Sequence, residues 1–136
     1  SIDAATDREG VLMPAVTATL PALGALAGER NSYDFRLVVS RRMYDKGIAT
    51  ANSASLAHLA QTNTLRVNSS ELSRIGVADG ATVRVTSPKS SMQVVISADD
   101  AVARGVAHLT FNAPGVNAAD LVSIDAAITD VRVETL

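Results

Sequence analysis

Alternation of apolar and polar positions begins near Tyr33 and recurs in short runs divided by turn residues. Phe35 to Val39 is apolar and rich in β-branched residues, which predicts a strand ending in the polar run Ser40-Arg41-Arg42. The polar stretch Asp45 to Ser53 follows, and Ser53 is placed to cap a short helix through Ala60. Leu65-Arg66-Val67 predicts a second strand. Thr82 to Thr86 alternates, with Val83 and Val85 on one face. Pro88 suits the second position of a turn, after which Met92, Val94 and Ile96 form the inward face of a fourth strand. Val106 to Phe111 predicts a fifth, with Leu109 and Phe111 inward and His108 on the opposite face. Asp130 to Leu136 alternates again and places Val131 and Val133 together.

One helix is specified at both ends. Asn68 is a good N-cap, and Glu71 stands three residues on, where its side chain can return a bond to the cap's N–H. Val67 and Leu72 have the spacing of a hydrophobic staple. Gly76 suits the left-handed residue that ends a helix, with Val77 folding back towards Leu72. Further on, Asp79-Gly80 is a turn signal, Asn112-Ala113-Pro114-Gly115 breaks the fifth strand, and Asn117 caps a short helix through Leu121.

Six short strands with short helices between them predict a mainly β chain closed into a six-stranded barrel, its interior filled by aliphatic side chains. Residues 33–136 form this domain. Residues 1–32, Ala-rich and without sustained periodicity, read as a linker or N-terminal arm from a longer parent chain, an expectation that the starting Ser1 supports. Their apolar side chains either meet a neighbouring surface or fold back onto the barrel. Val11 to Ala27 is too short and too broken by Pro14 and Pro21 to predict a membrane span.

Composition narrows the chemistry. Of 136 residues, 47% are hydrophobic but only 3% aromatic, so the core must be largely aliphatic. Twelve basic and 14 acidic side chains leave a net charge of −2, no electrostatic footprint for nucleic acid. Without cysteine, the chain has no disulfide, thiolate metal site or cysteine-held cluster. His58 and His108 have too few partners to predict zinc, and Asp99-Asp100 reads as a solvated turn. The basic cluster Arg36, Arg41, Arg42 and Lys46 is either a solvated loop or a contact for an acidic neighbour.

The run from Leu65 to Val85, with its strand, capped helix, Gly76-Val77, Asp79-Gly80 and second strand, resembles the molybdopterin-dinucleotide-binding domain of molybdopterin oxidoreductases. The resemblance covers roughly Tyr33 to Leu136 and implies a double-psi β-barrel of the aspartate decarboxylase-like kind. Leu37 to Asp45 and Thr129 to Glu134 are similar to a narrower group, the actinobacterial G-type subunit of NADH-quinone oxidoreductase (respiratory complex I). That similarity implies a structural domain, non-catalytic in itself, in the electron-transferring peripheral arm. It also implies iron–sulfur clusters elsewhere in the parent chain. Preceding domains and neighbouring subunits become the expected partners, on the cytoplasmic face of a membrane-associated complex with no direct membrane insertion.

In catalytic relatives, the loop after the first strand and a late Asn-containing loop hold the dinucleotide. The matching positions are Ser40, Arg41, Thr50, Asn52, Ser53, Asn117 and Asp120. Hydroxyls, backbone amides and an Arg suit a pyrophosphate. The His- and Thr-rich stretch of catalytic members is replaced here by Lys46-Gly47-Ile48-Ala49-Thr50-Ala51, which argues against a cofactor in this domain, molybdopterin dinucleotide included. No Gly precedes a Ser, which excludes the self-cleaving decarboxylase mechanism of the same barrel. A dinucleotide-binding enzyme domain and an adaptor-binding barrel remain as alternatives.

Overall fold

The computed structural model describes residues 30–136, and the expectations for residues 1–29 lie outside them. Six strands form the wall: β1 (Asp34–Ser40), β2 (Leu65–Val67), β3 (Thr82–Thr86), β4 (Ser91–Ala98), β5 (Val106–Thr110) and β6 (Asp130–Thr135). They close in the order β1-β5-β2-β4-β3-β6. β1 with β5 and β2 with β4 are parallel pairs, and the remaining neighbours are antiparallel. This is a double-psi β-barrel, as the sequence predicts.

Alternation along the strands fills the interior. Phe35, Leu65, Val67, Val83, Val85, Ile96, Ala107, Leu109 and Val131 are buried, joined by Leu72 from the helix and by Ala118 and Leu121 from the late loop. The core is aliphatic but for Phe35, which is fully buried within it.

The specified helix, α2 (Ser69–Ile75), forms with both ends as predicted. Asn68 accepts Ser70 N–H through its side chain. Gly76 takes φ 70°, and the N–H groups of Gly76 and Val77 bond the Ser73 and Leu72 carbonyls at 3.3 and 3.1 Å. These are the two bonds of a Schellman ending. Glu71 departs from the capping box. Its carboxylate accepts Gly105 N–H at 3.0 Å and Arg74 Nε at 2.5 Å instead of reaching the Asn68 N–H.

Two expected elements differ. The segment Ser53 to Ala60 is not a continuous helix: helix α1 lies earlier, at Ile48–Ala51, and a single 3₁₀ turn covers Ala57–Leu59. Asn52 closes α1 by donating Nδ2–H to Ile48 O, which leaves Ser53 beyond its end. Phe111 is 40% exposed rather than inward, because β5 stops at Thr110 and Asn112 turns the chain with φ 54°. Thr110 is buried in its place.

Candidate functional site

Parallel pairing of β1 and β5 sends the loops that follow them to the same end of the barrel. Phe111 N–H bonds Ser40 O at 2.8 Å, and Lys46 N–H bonds Asn112 O at 2.8 Å. A third segment joins them through Asn63, which is 4% exposed. Its Oδ1 accepts Thr110 N–H at 3.0 Å, and its Nδ2 donates to Thr110 O and Val116 O at 2.7 and 3.1 Å. Asn63 N–H bonds Pro114 O at 2.8 Å as well. The sequence carries no local signal for this role, since the partners are backbone atoms about fifty residues away.

On this scaffold the loop after β1 is braced by Asp45, which is buried. It accepts Arg41 Nη2–H and Gly47 N–H, both at 2.8 Å. The Arg41 bond first, then those from Gly47 and Asn112, hold the Asp45 carboxyl below the ordinary carboxylate value. Arg41 remains 68% exposed on its side chain and lies over the Phe111 ring, 5.8 Å from its centroid. Beside that pair, Val39, Phe111, Ala119, Val122 and Ile124 line a mostly apolar cleft of about 380 Å³.

The predicted site residues divide into groups. Ser40, Arg41 and the Phe111 to Asn117 loop come together at this end. Ser40 Oγ lies 2.7 Å from His108 Nε2. Asn117 caps the 3₁₀ turn Ala118–Asp120: its Oδ1 accepts Ala119 N–H, and its Nδ2 donates to Asp120 Oδ1, both at 3.3 Å. Thr50 lies within α1, Asn52 closes it, and Ser53 Oγ lies 3.2 Å from Ser55 Oγ. Among the described residues no hydrogen bond joins Thr50, Asn52 or Ser53 to Asn117 or Asp120.

Charges read as solvated prove to be tied. Asp99 pairs with Arg66, and Asp100 accepts Ser69 Oγ–H at 2.5 Å and Ser69 N–H at 3.3 Å. These Ser69 bonds keep the Asp100 carboxyl below the usual value. The pair therefore fastens the β4–β5 connection to β2 and α2. Arg36 is held by Asp130 at 3.2 Å, and Arg42 Nη1 donates to Gln61 at 2.5 Å. His108 faces outward as predicted but is half-buried, and its Nδ1 has no partner. Burial, then the Arg66 and Arg42 charges, push its pKa below the ordinary imidazole value. Among the described residues no group of three or more His, Asp or Glu is placed to hold a metal ion, and no helix is long and apolar enough to cross a membrane.

A closed barrel with two parallel strand pairs and polar loops gathered at one end defines the architectural class. The family follows from comparison: the family model described as "Molydopterin dinucleotide binding domain" matches residues 35–132. The chain belongs to this molybdopterin dinucleotide-binding family. No curated protein matches its sequence. Among solved structures, it is similar to acetylene hydratase from Pelobacter acetylenicus, with a TM-score of 0.61 and 12% identity over 76% of this chain and 18% of that one. The chain thus spans under a fifth of that relative. The rationally designed protein mkDPBB_sym_86 aligns over 76% of this chain and 92% of its own, with 15% identity and a TM-score of 0.44.

The family match corrects the expectation that a molybdopterin dinucleotide has no place in this domain. That expectation rests on the replaced stretch Lys46 to Ala51, whereas the family pattern is carried by the whole barrel. The side chains at the loop end also fit such a group. Ser40, Arg41 and Arg42 offer hydroxyl and guanidinium donors, and Arg41 keeps its exposed face free while Asp45 holds the other.

Proposed function

We propose that this chain is the dinucleotide-binding barrel domain of a molybdenum oxidoreductase-type protein. The observation that carries the reading is the parallel β1–β5 pairing, which sets Ser40-Arg41-Arg42 beside the Phe111 to Asn117 loop, within a chain whose family binds that dinucleotide. When bound, the cofactor supplies the redox chemistry of its metal. The chain's own part is to bind and orient. Arg41, fixed by Asp45 and Phe111, meets phosphate charge at little entropic cost, because its rotamer is already set. Ser40 and Asn117 offer short polar contacts from the two loops. The Phe111 cleft gives an apolar surface for a flat ring system.

The test is cofactor content. The parent protein, purified without oxygen, should release guanine nucleotide and oxidised pterin in equal amounts, and the Ser40→Ala/Arg41→Ala double variant should carry much less. Absence of both from the unmodified protein would refute the reading.

A second reading places the parent in NADH-quinone oxidoreductase, as its G-type subunit in the actinobacterial form. It is supported by the similarity of Leu37 to Asp45 and Thr129 to Glu134. These two stretches adjoin in space, with Leu37 N–H bonded to Thr129 O at 2.9 Å and β1 paired to β6. Under it the barrel is a structural unit of the peripheral arm, at the cytoplasmic face of the complex. Its partners are the preceding domains of the same polypeptide and the neighbouring subunits. Recovery of the chain within purified NADH-oxidising complex supports this reading, and its absence from the complex refutes it.

A further inference from the structure

The lining of the apolar cleft beside Phe111 comes from two separately held pieces of chain. Val39 lies in β1 and Phe111 directly follows β5, so that part belongs to the closed sheet. The rest, Ala119, Val122 and Ile124, lies on the 3₁₀ turn Ala118–Asp120 and the segment that leaves it. Ala118 and Leu121 are fully buried and anchor this late-loop wall at its start. Beyond them the chain from Ile124 to Ile128 is exposed, Ile124 almost completely.

The turn between β3 and β4 holds this wall. Lys89 Nζ donates to Ala119 O and Val122 O at 3.1 and 3.0 Å, and Ser90 Oγ donates to Asp120 O at 2.6 Å. Carbonyls at the end of a helical turn have no partner within it, and a lysine side chain can supply one. Ser87, itself buried, sets both donors in place. Its Oγ accepts the N–H groups of Lys89 and Ser90, each at 3.2 Å, and its own N–H bonds Ser90 O at 2.8 Å. Pro88 fixes the backbone φ between Ser87 and Lys89. Among the described residues no carboxylate pairs with Lys89, so its charge is directed at the late-loop carbonyls. Among them also, the Lys89 bond is the one hydrogen bond that reaches residues 122–128 from elsewhere in the chain.

We propose that Lys89 is the positioning residue of the cleft: its ammonium fixes the late-loop wall and so sets the width that the cleft presents to a ligand. Three N–H donors on one compact nitrogen can serve two carbonyls at once, which suits Lys to this place. Ser90 adds the bond to Asp120. Through the same turn the clasp also holds Asn117, whose Oδ1 accepts Ala119 N–H. A wall fixed before binding loses less entropy on taking a rigid ring than one that must first be ordered. That the ring belongs to a dinucleotide rests on the proposed function; the clasp itself does not.

The experiment compares the full chain with Lys89→Met, which keeps an aliphatic stem without donors, and with Lys89→Arg, which keeps a cation and its N–H groups. Without ligand, hydrogen exchange is followed by NMR at the amides of Ala119, Asp120 and Leu121, all bonded within the turn. It should quicken about tenfold in Lys89→Met, the equivalent of one net hydrogen bond, and return towards the original rate in Lys89→Arg. Exchange in β3 and β4 should stay unchanged. Each variant is then titrated with isolated molybdopterin guanine dinucleotide under conditions where it is fully folded. Lys89→Met should bind about fivefold more weakly, the cost of ordering one wall, and Lys89→Arg should recover most of the affinity. Lost stability alone does not produce that pattern. Unchanged exchange at the three amides in Lys89→Met overturns the clasp, whether or not the dinucleotide binds. Faster exchange with unchanged affinity overturns the positioning role and spares the dinucleotide reading. No binding by the unmodified chain refutes the proposed function instead, and the exchange result, which needs no ligand, then decides the clasp.

Discussion

The Glu71 carboxylate joins α2 to the turn that enters β5, accepting Gly105 N–H at 3.0 Å while its second oxygen holds Arg74. Both Glu71 and Gly105 are buried, so this backbone donor has no water to fall back on. Glu71→Ala should lower stability by about 1–3 kcal/mol, the range for a buried donor left unsatisfied. Glu71→Gln, which keeps an oxygen for Gly105, should cost less. Urea unfolding of both variants checks the order, and equal losses would place the effect in the Arg74 pair.

Gly76 isolates backbone strain from crowding. Its φ is 70°, and a Cβ added there would meet nothing within 4 Å. Gly76→Ala should therefore cost about 1–2 kcal/mol through the left-handed backbone alone. A thermal unfolding curve unchanged by the substitution would show that the Schellman ending does not contribute to stability.

Asn63 ties three segments at the loop end, so its loss should be felt both globally and locally. Asn63→Ala leaves the buried Thr110 N–H and carbonyl unpaired and should cost about 2–4 kcal/mol, two unsatisfied groups at roughly 1–2 each. Amide hydrogen exchange should rise most in the segment from Phe111 to Val116. Uniform acceleration across the barrel would show that Asn63 stabilises the whole fold without specially bracing this loop.

The strands and α2 were legible because their signals are local. Val83 and Val85 alternate with Thr82, Arg84 and Thr86, and α2 carries its own cap and stop. Strand order was not legible from local pattern, because β1 and β5 pair across about seventy residues and both read simply as short apolar runs. Phe111 misleads for a related reason: alternation points it inward, but the positive φ at Asn112 ends the strand first. Asn63 and Glu71 are polar residues whose partners are remote backbone atoms, so nothing beside them in sequence marks the role. At the candidate site, the positions in the loop after β1 came from the family resemblance and not from any local pattern. The brace from Asp45 and the bond between Ser40 and His108 needed the third dimension.

Acid should weaken the fold in two stages. His108 has a folded pKa below its ordinary 6.5, so the unfolded chain takes up a proton first and stability declines as pH falls below about 6.5. Asp45 and Asp100 are held below their ordinary 3.8, so their contribution is present above that value and is lost as pH falls further, through their folded pKa values. His108→Gln should remove the first stage, and Asp45→Asn should reduce the second. Denaturation midpoints measured from about pH 8 to about pH 2, a span that brackets both stages, check both. A first stage that persists in His108→Gln would assign it elsewhere.

The most direct measurement of the dinucleotide reading is an amide NMR map of the full chain titrated with isolated molybdopterin guanine dinucleotide. Shifts should concentrate in the segments from Ser40 to Asp45 and from Phe111 to Asn117, the loops that β1 and β5 deliver to one end. Arg41→Ala should diminish them without altering the rest of the spectrum. A spectrum that does not move, or moves on the opposite end of the barrel, would contradict the account.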